Sequence, residues 1–147
     1  MTPIRTILYP TDFSTYSNQA YFHAVCLAEA HGASLTFLYV IQPGSTDAAD
    51  DRRHWKEQLE QMRPGNQRIA VNHVLLEGDP ATEIARYAAD ARIDLIVIGT
   101  HGRTGEERLR MGSVAEKVVR ESPCSVMVVK LPRRACSSPT PDAIVTG

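Results

Sequence analysis

The sequence is poor in cysteine, has no charge excess and contains no long apolar run. Its three cysteines, Cys26, Cys124 and Cys136, form no Cys-x-x-Cys pair and no zinc-spaced cluster with histidine. That pattern argues against a disulfide framework and the common structural metal sites. Cys26 and Cys124 are expected to act as small buried apolar residues, and Cys136 as an exposed thiol. Charge of one sign is also missing, since 16 Lys+Arg stand against 17 Asp+Glu for a net −1. A dedicated nucleic-acid or membrane-surface binder normally carries a basic excess, so neither is expected. Apolar runs such as Leu95–Ile98 and Val126–Val129 fall far short of the roughly 20 residues of a membrane helix. The opening Met1-Thr-Pro-Ile-Arg lacks the apolar core and cleavage site of a secretory signal, which predicts a cytoplasmic protein.

The remainder is ordinary for a globular domain: 147 residues, 43% hydrophobic and 22% charged. A chain of that size can bury roughly two-thirds of its unfolded surface in one core. Ile4–Tyr9 reads as a buried strand stopped at Pro10. Ser14 is a good N-cap for a helix whose Ala20, Ala24, Leu27 and Ala28 share one face, and His31-Gly32 ends it. Ser34–Ile41, rich in aromatic and β-branched residues, is the second strand, closed by Pro43-Gly44. Trp55, Leu59 and Met62 at helical spacing predict a helix over Asp51–Met62, and Gln67–Leu76 is the third strand. Asp79 as N-cap with Pro80 behind it opens a third helix with an apolar face of Ala81, Ile84, Ala85, Ala88 and Ala89.

Asp94–Ile98 is the fourth strand, followed by a glycine-rich stretch from Gly99 to Gly112. Ser113–Ser122 is the fourth helix, packing Val114, Ala115, Val118 and Val119. Pro123 breaks it before the fifth strand, Ser125–Lys130. Strict β-α alternation with short, continuously apolar strands predicts an α/β sandwich, a parallel sheet with helices on both faces. Strand order does not follow from the pattern. Residues 131–147 carry Pro132, Pro139 and Pro141 and few apolar residues, so they are expected to form a disordered tail after a single domain of residues 1–130.

Gly99–Ala115 is the segment that carries chemistry. It follows a buried strand and ends at a helix start, where free backbone N–H groups and the helix dipole suit a phosphate. Gly99, Gly102 and Gly112 would let the backbone approach such a ligand, and Ser113 could add a hydroxyl at the cap. No Gly-Lys-Ser/Thr follows, and there is no Gly-x-Gly-x-x-Gly, so the P-loop and dinucleotide fingerprints both fail. By physics alone the stretch reads either as a phosphate loop or as a long connection whose glycines serve turns.

The spacing Gly99-x2-Gly102-x9-Gly112-Ser113 resembles the nucleotide loop of the ATP-binding branch of the universal stress protein family. Ile7-Leu8-Tyr9-Pro10-Thr11-Asp12-Phe13-Ser14, Leu38–Ile41, Gly78-Asp79-Pro80 and Ser122–Val129 are similar to the family as well, so the likeness spans residues 2–130. It implies a three-layer, Rossmann-like sandwich of the adenine-nucleotide alpha-hydrolase type, with a five-stranded parallel sheet in the order 3-2-1-4-5. It also implies a homodimer built through the last strand, residues 125–130, and ATP, or ADP or AMP, bound with Mg²⁺ where strands 1 and 4 part.

Carried over by position, Asp12 would accept hydrogen bonds from the ribose hydroxyls, with Pro10 and Thr11 as the wall beside it. Val40 would meet the adenine through its backbone and Ile98 through its apolar surface. Gly99 would lie by the ribose, while Gly102, Gly112, Ser113 and Val114 would donate to the phosphates. His101 and Arg103 lie within the loop and either touch phosphate or, respectively, cap the loop and stay solvated. Ala115 stands where the family often has Ser or Thr, which puts the preference for ATP over ADP or AMP in question. The resemblance thus implies a nucleotide-dependent stress-response regulator. The alternatives are a slow ATPase, for which the loop offers no clear base, and an interaction module with a vestigial site.

Overall fold

The structure, a computed structural model, describes residues 3–13, 17–44, 48–100 and 112–130. The elements alternate without exception among these residues: β1 (Thr6–Pro10), α1 (Ser17–His31), β2 (Ser34–Ile41), α2 (Ala48–Glu60), β3 (Val71–Glu77), α3 (Pro80–Asp90), β4 (Leu95–Gly99), α4 (Ser113–Glu121) and β5 (Ser125–Val129). The predicted tail with Cys136 lies outside the described residues, as do Ser14, His101, Gly102 and Arg103.

The strands form one five-stranded sheet, β3-β2-β1-β4-β5, with every pair parallel. From β1 the chain steps outward through β2 to β3, then returns across β1 to β4 and β5. That single reversal sorts the helices. Ala20, Ala24 and Ala28 of α1 and Leu59 of α2 pack on the face made by Ile7, Tyr9, Leu35, Phe37 and Val97. Ala81, Ile84 and Ala88 of α3 and Ala115 and Val118 of α4 pack on the opposite face, against Leu8, Leu38, Val40, Ile96 and Ile98. Successive strand side chains point to opposite faces. With helices on both, an inner strand must be apolar throughout, which is why the runs read as continuous.

Strand β2 and the start of α3 fall where the sequence places them; several other boundaries move, two of them with a cause visible in the hydrogen bonding. Pro10 belongs to β1 rather than ending it. β1 meets β4 at Ile7 and Leu8, whereas Pro10 is matched with Leu38 of β2, and the next residue's N–H donates to the Leu38 carbonyl at 2.8 Å. The third strand begins at Val71 instead of Gln67 because Asn66 diverts the chain. Its side-chain carbonyl accepts the Arg68 N–H at 2.9 Å and its backbone carbonyl the Ile69 N–H at 3.3 Å. Such local bonds compete with a strand ladder. α2 runs earlier than predicted, Ala48–Glu60 rather than Asp51–Met62, and β4 is Leu95–Gly99. The fourth helix and fifth strand each end one residue early, at Glu121 and Val129.

The apolar faces are narrower than the composition implies. On α1 the buried stripe is Ala20, Ala24 and Ala28, and Cys26 is exposed, not buried as expected. At about 100° per residue, Cys26 lies roughly 200° around the helix from Ala24. Likewise Ala89 is exposed beside buried Ala88, and Val114 and Val119 are 37% and 45% exposed beside buried Ala115 and Val118. Cys124 does pack, half-buried, against the core of the α3/α4 face, and burial pushes its thiol pKa up.

The first helix of each face ends in the same way. After α1 the Ala33 N–H returns to the Ala28 carbonyl at 3.0 Å, with Gly32 at φ 63°. After α3 the Ile93 N–H returns to Ala88 at 2.9 Å and the Arg92 N–H to Ala89 at 3.3 Å, with Arg92 at φ 55°. Both are Schellman closures, which place one residue in the left-handed region and normally favour glycine there. Arg92→Gly is therefore expected to stabilise the protein by about 0.5–1 kcal/mol. The left-handed cost of roughly 1–2 kcal/mol is relieved, and glycine's greater unfolded-state freedom takes back part of it. The urea midpoint should rise at constant slope; a lower midpoint would mean that the Arg92 side chain makes contacts worth more than the strain.

The edge at which β1 and β4 begin is pinned by Asp94. Its carboxylate accepts the Arg5 N–H at 2.8 Å and the Thr6 N–H at 3.1 Å, and its own N–H reaches Thr6 Oγ1 at 3.0 Å. The Arg5 bond foremost holds the Asp94 carboxyl below its ordinary pKa. The two strands that flank the switch in chain direction are thus registered from below.

Candidate functional site

All five strands are parallel and so end at one edge of the sheet. Chain direction reverses between β1, which continues to β2, and β4, which arrives from β3. Open α/β sheets bind ligands outside the carboxyl ends of the strands at such a point. The candidate residues that follow β1 and β4 therefore share this edge.

On the β1 side the chain turns sharply at Asp12. Thr11 is 6% exposed, and its N–H prolongs the β1–β2 pairing to Leu38. Its hydroxyl oxygen accepts the Phe13 N–H at 2.9 Å, closing a turn around Asp12. Asp12 itself is half-buried. Phe13 stands at φ 62°, a conformation costing a residue with a Cβ roughly 1–2 kcal/mol. Its ring stacks on Trp55 of α2 (centroids 5.1 Å apart, planes at 20°) and meets Tyr39 of β2 edge-on at 4.9 Å. Tyr39 and Trp55 also touch, at 4.9 Å. Aromatic pairs contribute about 0.5–1.5 kcal/mol each beyond burial, enough to offset the strained backbone.

On the β4 side, Thr100 is 5% exposed and donates its N–H to Val129 at 3.1 Å. Its carbonyl accepts the Gly112 N–H, which joins the two ends of the segment 101–111. Gly112 is the N-cap of α4, with φ −63° and ψ 152°, an extended conformation open to any residue. Its glycine identity is thus not required by backbone angle. The first helical bond runs from Glu116 N–H to Gly112 at 2.9 Å. Consequently the N–H groups of Ser113, Val114 and Ala115 have no acceptor within the helix, and they form its positive end.

Ser113 is the first helical residue rather than the cap, and is exposed. Ala115 is 2% exposed and its methyl packs with Ala81, Ile84 and Val118. In this structure the residue at that position serves the core, so a hydroxyl there would face apolar neighbours.

The other predicted residues divide clearly. Pro10, Thr11, Asp12, Gly99, Gly112, Ser113 and Val114 lie at the carboxyl edge of β1 and β4 or just beyond it. Val40 and Ile98 are 7% and 6% exposed, on the sheet face covered by α3 and α4. There they supply the apolar floor beneath the edge.

Two features of the neighbourhood escaped the sequence reading. Lys117, one turn into α4, reaches Asp79 Oδ2 at 3.1 Å, where Asp79 also accepts the Thr82 hydroxyl at 2.8 Å and the Thr82 N–H at 3.1 Å. The Thr82 hydroxyl bond is the main reason the Asp79 carboxyl titrates below its ordinary value. This cap ties the start of α3 to the start of α4, at the edge where the phosphate-suited N–H groups stand. The second feature is the Phe13–Tyr39–Trp55 cluster. Trp55 was legible only as one residue of an amphipathic helix, and nothing local marks a phenylalanine for positive φ.

Comparison with known proteins places this geometry. The model of the universal stress protein family matches residues 3–130. A universal stress protein of Methanocaldococcus jannaschii is 33% identical over 143 residues, covering 88% of this chain and 84% of the relative. The solved structure of universal stress protein UspA from Lactobacillus plantarum superposes with a TM-score of 0.70 at 27% identity, covering 88% of this chain and 100% of that one. A universal stress protein solved in complex with cAMP gives a TM-score of 0.70 at 24% identity, covering 89% and 100%.

Proposed function

The chain belongs to the universal stress protein family, and from that membership and the geometry of the β1/β4 edge we propose that it binds an adenine nucleotide, ATP foremost, and acts as a nucleotide-dependent regulator. One observation carries the reading. The reversal of chain direction sets Asp12, at the end of β1, on the same edge as the N–H groups that open α4 after β4 and have no acceptor within that helix. A carboxylate accepts two hydroxyls well, as a ribose offers. A helix N-terminus favours phosphate. Val40 and Ile98 leave an apolar floor for a base. The complexed cAMP of the relative is a ligand of the same chemistry.

Asp12 and Thr11 would hold and orient the ribose; Gly112, Ser113 and Val114 would donate to phosphate oxygens. Among the described residues no group of three His, Cys, Asp or Glu is disposed to hold a metal. Mg²⁺ fits as an ion carried mainly by phosphate oxygens and water, its usual preference. Binding would stabilise the folded state by mass action. β5 is the edge strand beyond β4, and its half-buried Val126, Met127 and Val128 suit a second copy of the chain, so the working form is read as a cytoplasmic homodimer.

The test is mass spectrometry of small molecules released by acid from the freshly purified protein, followed by calorimetry with ATP, ADP and AMP plus Mg²⁺. Bound adenine nucleotide that competes with added ATP supports the site. A protein that is empty and indifferent to all three leaves the fold intact and shifts the reading to a dimeric interaction module.

A further inference from the structure

We propose that the Phe13–Tyr39–Trp55 cluster is a positioning device for Asp12, so that Trp55 on α2 governs how well the site holds a ribose. The inference rests on the nucleotide reading above and assigns a role to residues on the sheet face opposite Val40 and Ile98.

Asp12 lies between two anchored neighbours. Thr11 is buried, bonded through its N–H to Leu38 and through its hydroxyl oxygen to the Phe13 N–H. Phe13 holds φ 62° with its ring stacked on Trp55 and edge-on to Tyr39. A phenylalanine keeps that backbone only where its surroundings over-determine it, and such residues gather at functional sites. Three elements supply the rings: the turn after β1, strand β2 and helix α2. The strained residue therefore reads the position of α2 and passes it to the carboxylate next to it.

The consequence of removing the stack is specific. Without Trp55, the Phe13 backbone is free to return to negative φ. β1 holds the chain before the turn through the Thr11 N–H bond to Leu38, so the rotation falls on the residues after Thr11. The Phe13 N–H then leaves Thr11 Oγ1, the turn around Asp12 opens, and its carboxylate loses the fixed position that meets the ribose. Phosphate contacts at the start of α4 stay in place.

The experiment measures affinity for ATP and for 2′-deoxy-ATP, each with Mg²⁺, in the full-length protein and in four variants. The wild type is expected to prefer ATP, and Asp12→Ala to lose that preference. Trp55→Ala is expected to weaken ATP binding about tenfold, the value of one hydrogen bond to a charged group. It should weaken 2′-deoxy-ATP less, because that nucleotide offers Asp12 only its 3′-hydroxyl, so that the ratio falls to that of Asp12→Ala. Trp55→Phe, which keeps a flat ring, should restore the ratio. Trp55→Leu keeps apolar bulk without a stacking face and should behave as Trp55→Ala, even if the alanine variant is too unstable to assay. An equal loss for both nucleotides, or a wild-type ratio in Trp55→Leu, would overturn the positioning role while leaving the nucleotide site standing. A wild type that binds neither nucleotide, or whose ratio survives Asp12→Ala, removes the site reading and the inference with it.

Discussion

Asp12→Ala is expected to weaken ATP binding by about 10–100-fold. A hydrogen bond to a charged group contributes about 1.5–3 kcal/mol, and each 1.4 kcal/mol is a factor of ten in affinity. An opposing effect has to be weighed. Removing a negative charge relieves repulsion with the phosphates, by about 0.5 kcal/mol for a charge some 8 Å away in water, and physiological salt reduces that further. The hydrogen bonds win. Asp12→Asn keeps one acceptor oxygen and should fall between alanine and wild type. Titration calorimetry with ATP and Mg²⁺ reads the effect directly. Wild-type affinity in the alanine variant would remove Asp12 from the site, and with it the main reason for placing a ribose at the end of β1. The start of α4 would then stand alone as an anion site.

The largest loss of stability is expected at Phe37, whose side chain is fully buried in the middle of β2. Its ring lies 5.8 Å from Tyr9, 6.0 Å from Tyr21 and 5.4 Å from His73, so it joins β1, α1 and β3 across one face of the sheet. Phe37→Ala should cost about 3–5 kcal/mol, the sum of lost burial and of a cavity that the three surrounding elements cannot all close at once. For a domain with a typical stability of about 5–15 kcal/mol that is a large share, and the melting temperature should drop by about 10 °C or more. Phe37→Leu, which fills most of the space, should cost much less. Urea unfolding of both variants checks the ranking. A cost under about 1 kcal/mol for alanine would mean that the aromatic column is not a packed core.

Much of this was legible in the residues themselves. Ser34–Ile41 reads as a strand because every position after Ser34 is apolar, aromatic or β-branched, and its bounds are met in full. Asp79 and Pro80 mark the start of α3 by chemistry that acts within one turn, and the Thr82 N–H is indeed capped by Asp79. The glycine spacing from Gly99 to Gly112 and the Asp12 motif pointed to the carboxyl edge of β1 and β4 through their resemblance to the family. The errors share a cause as well. Ala89, Val119 and Cys26 are small or apolar and were assigned inward, but their helices show the sheet only a narrow stripe. Asn66 turned the chain away from a strand through bonds to its own neighbours, a competition that strand propensity does not register.

By itself, then, the sequence determined the alternation of elements, the apolar strands, the capped helix starts and the membership of the family, since each of these depends on residues close together in the chain. Tertiary structure decided the rest. Periodicity left the strand order open; the resemblance supplied 3-2-1-4-5, and the fold realises it through the crossover from β3 back across β1. That crossover sets Asp12 on the same sheet edge as the start of α4, separates the two helix faces and lets Asp94 lock Arg5 and Thr6 across the sheet. The winding of β1, β2 and α2 on the other face puts Trp55 against the residue that follows Asp12. A left-handed phenylalanine is stable only because rings from β2 and α2 meet it there, and no local pattern encodes a meeting among three separate elements.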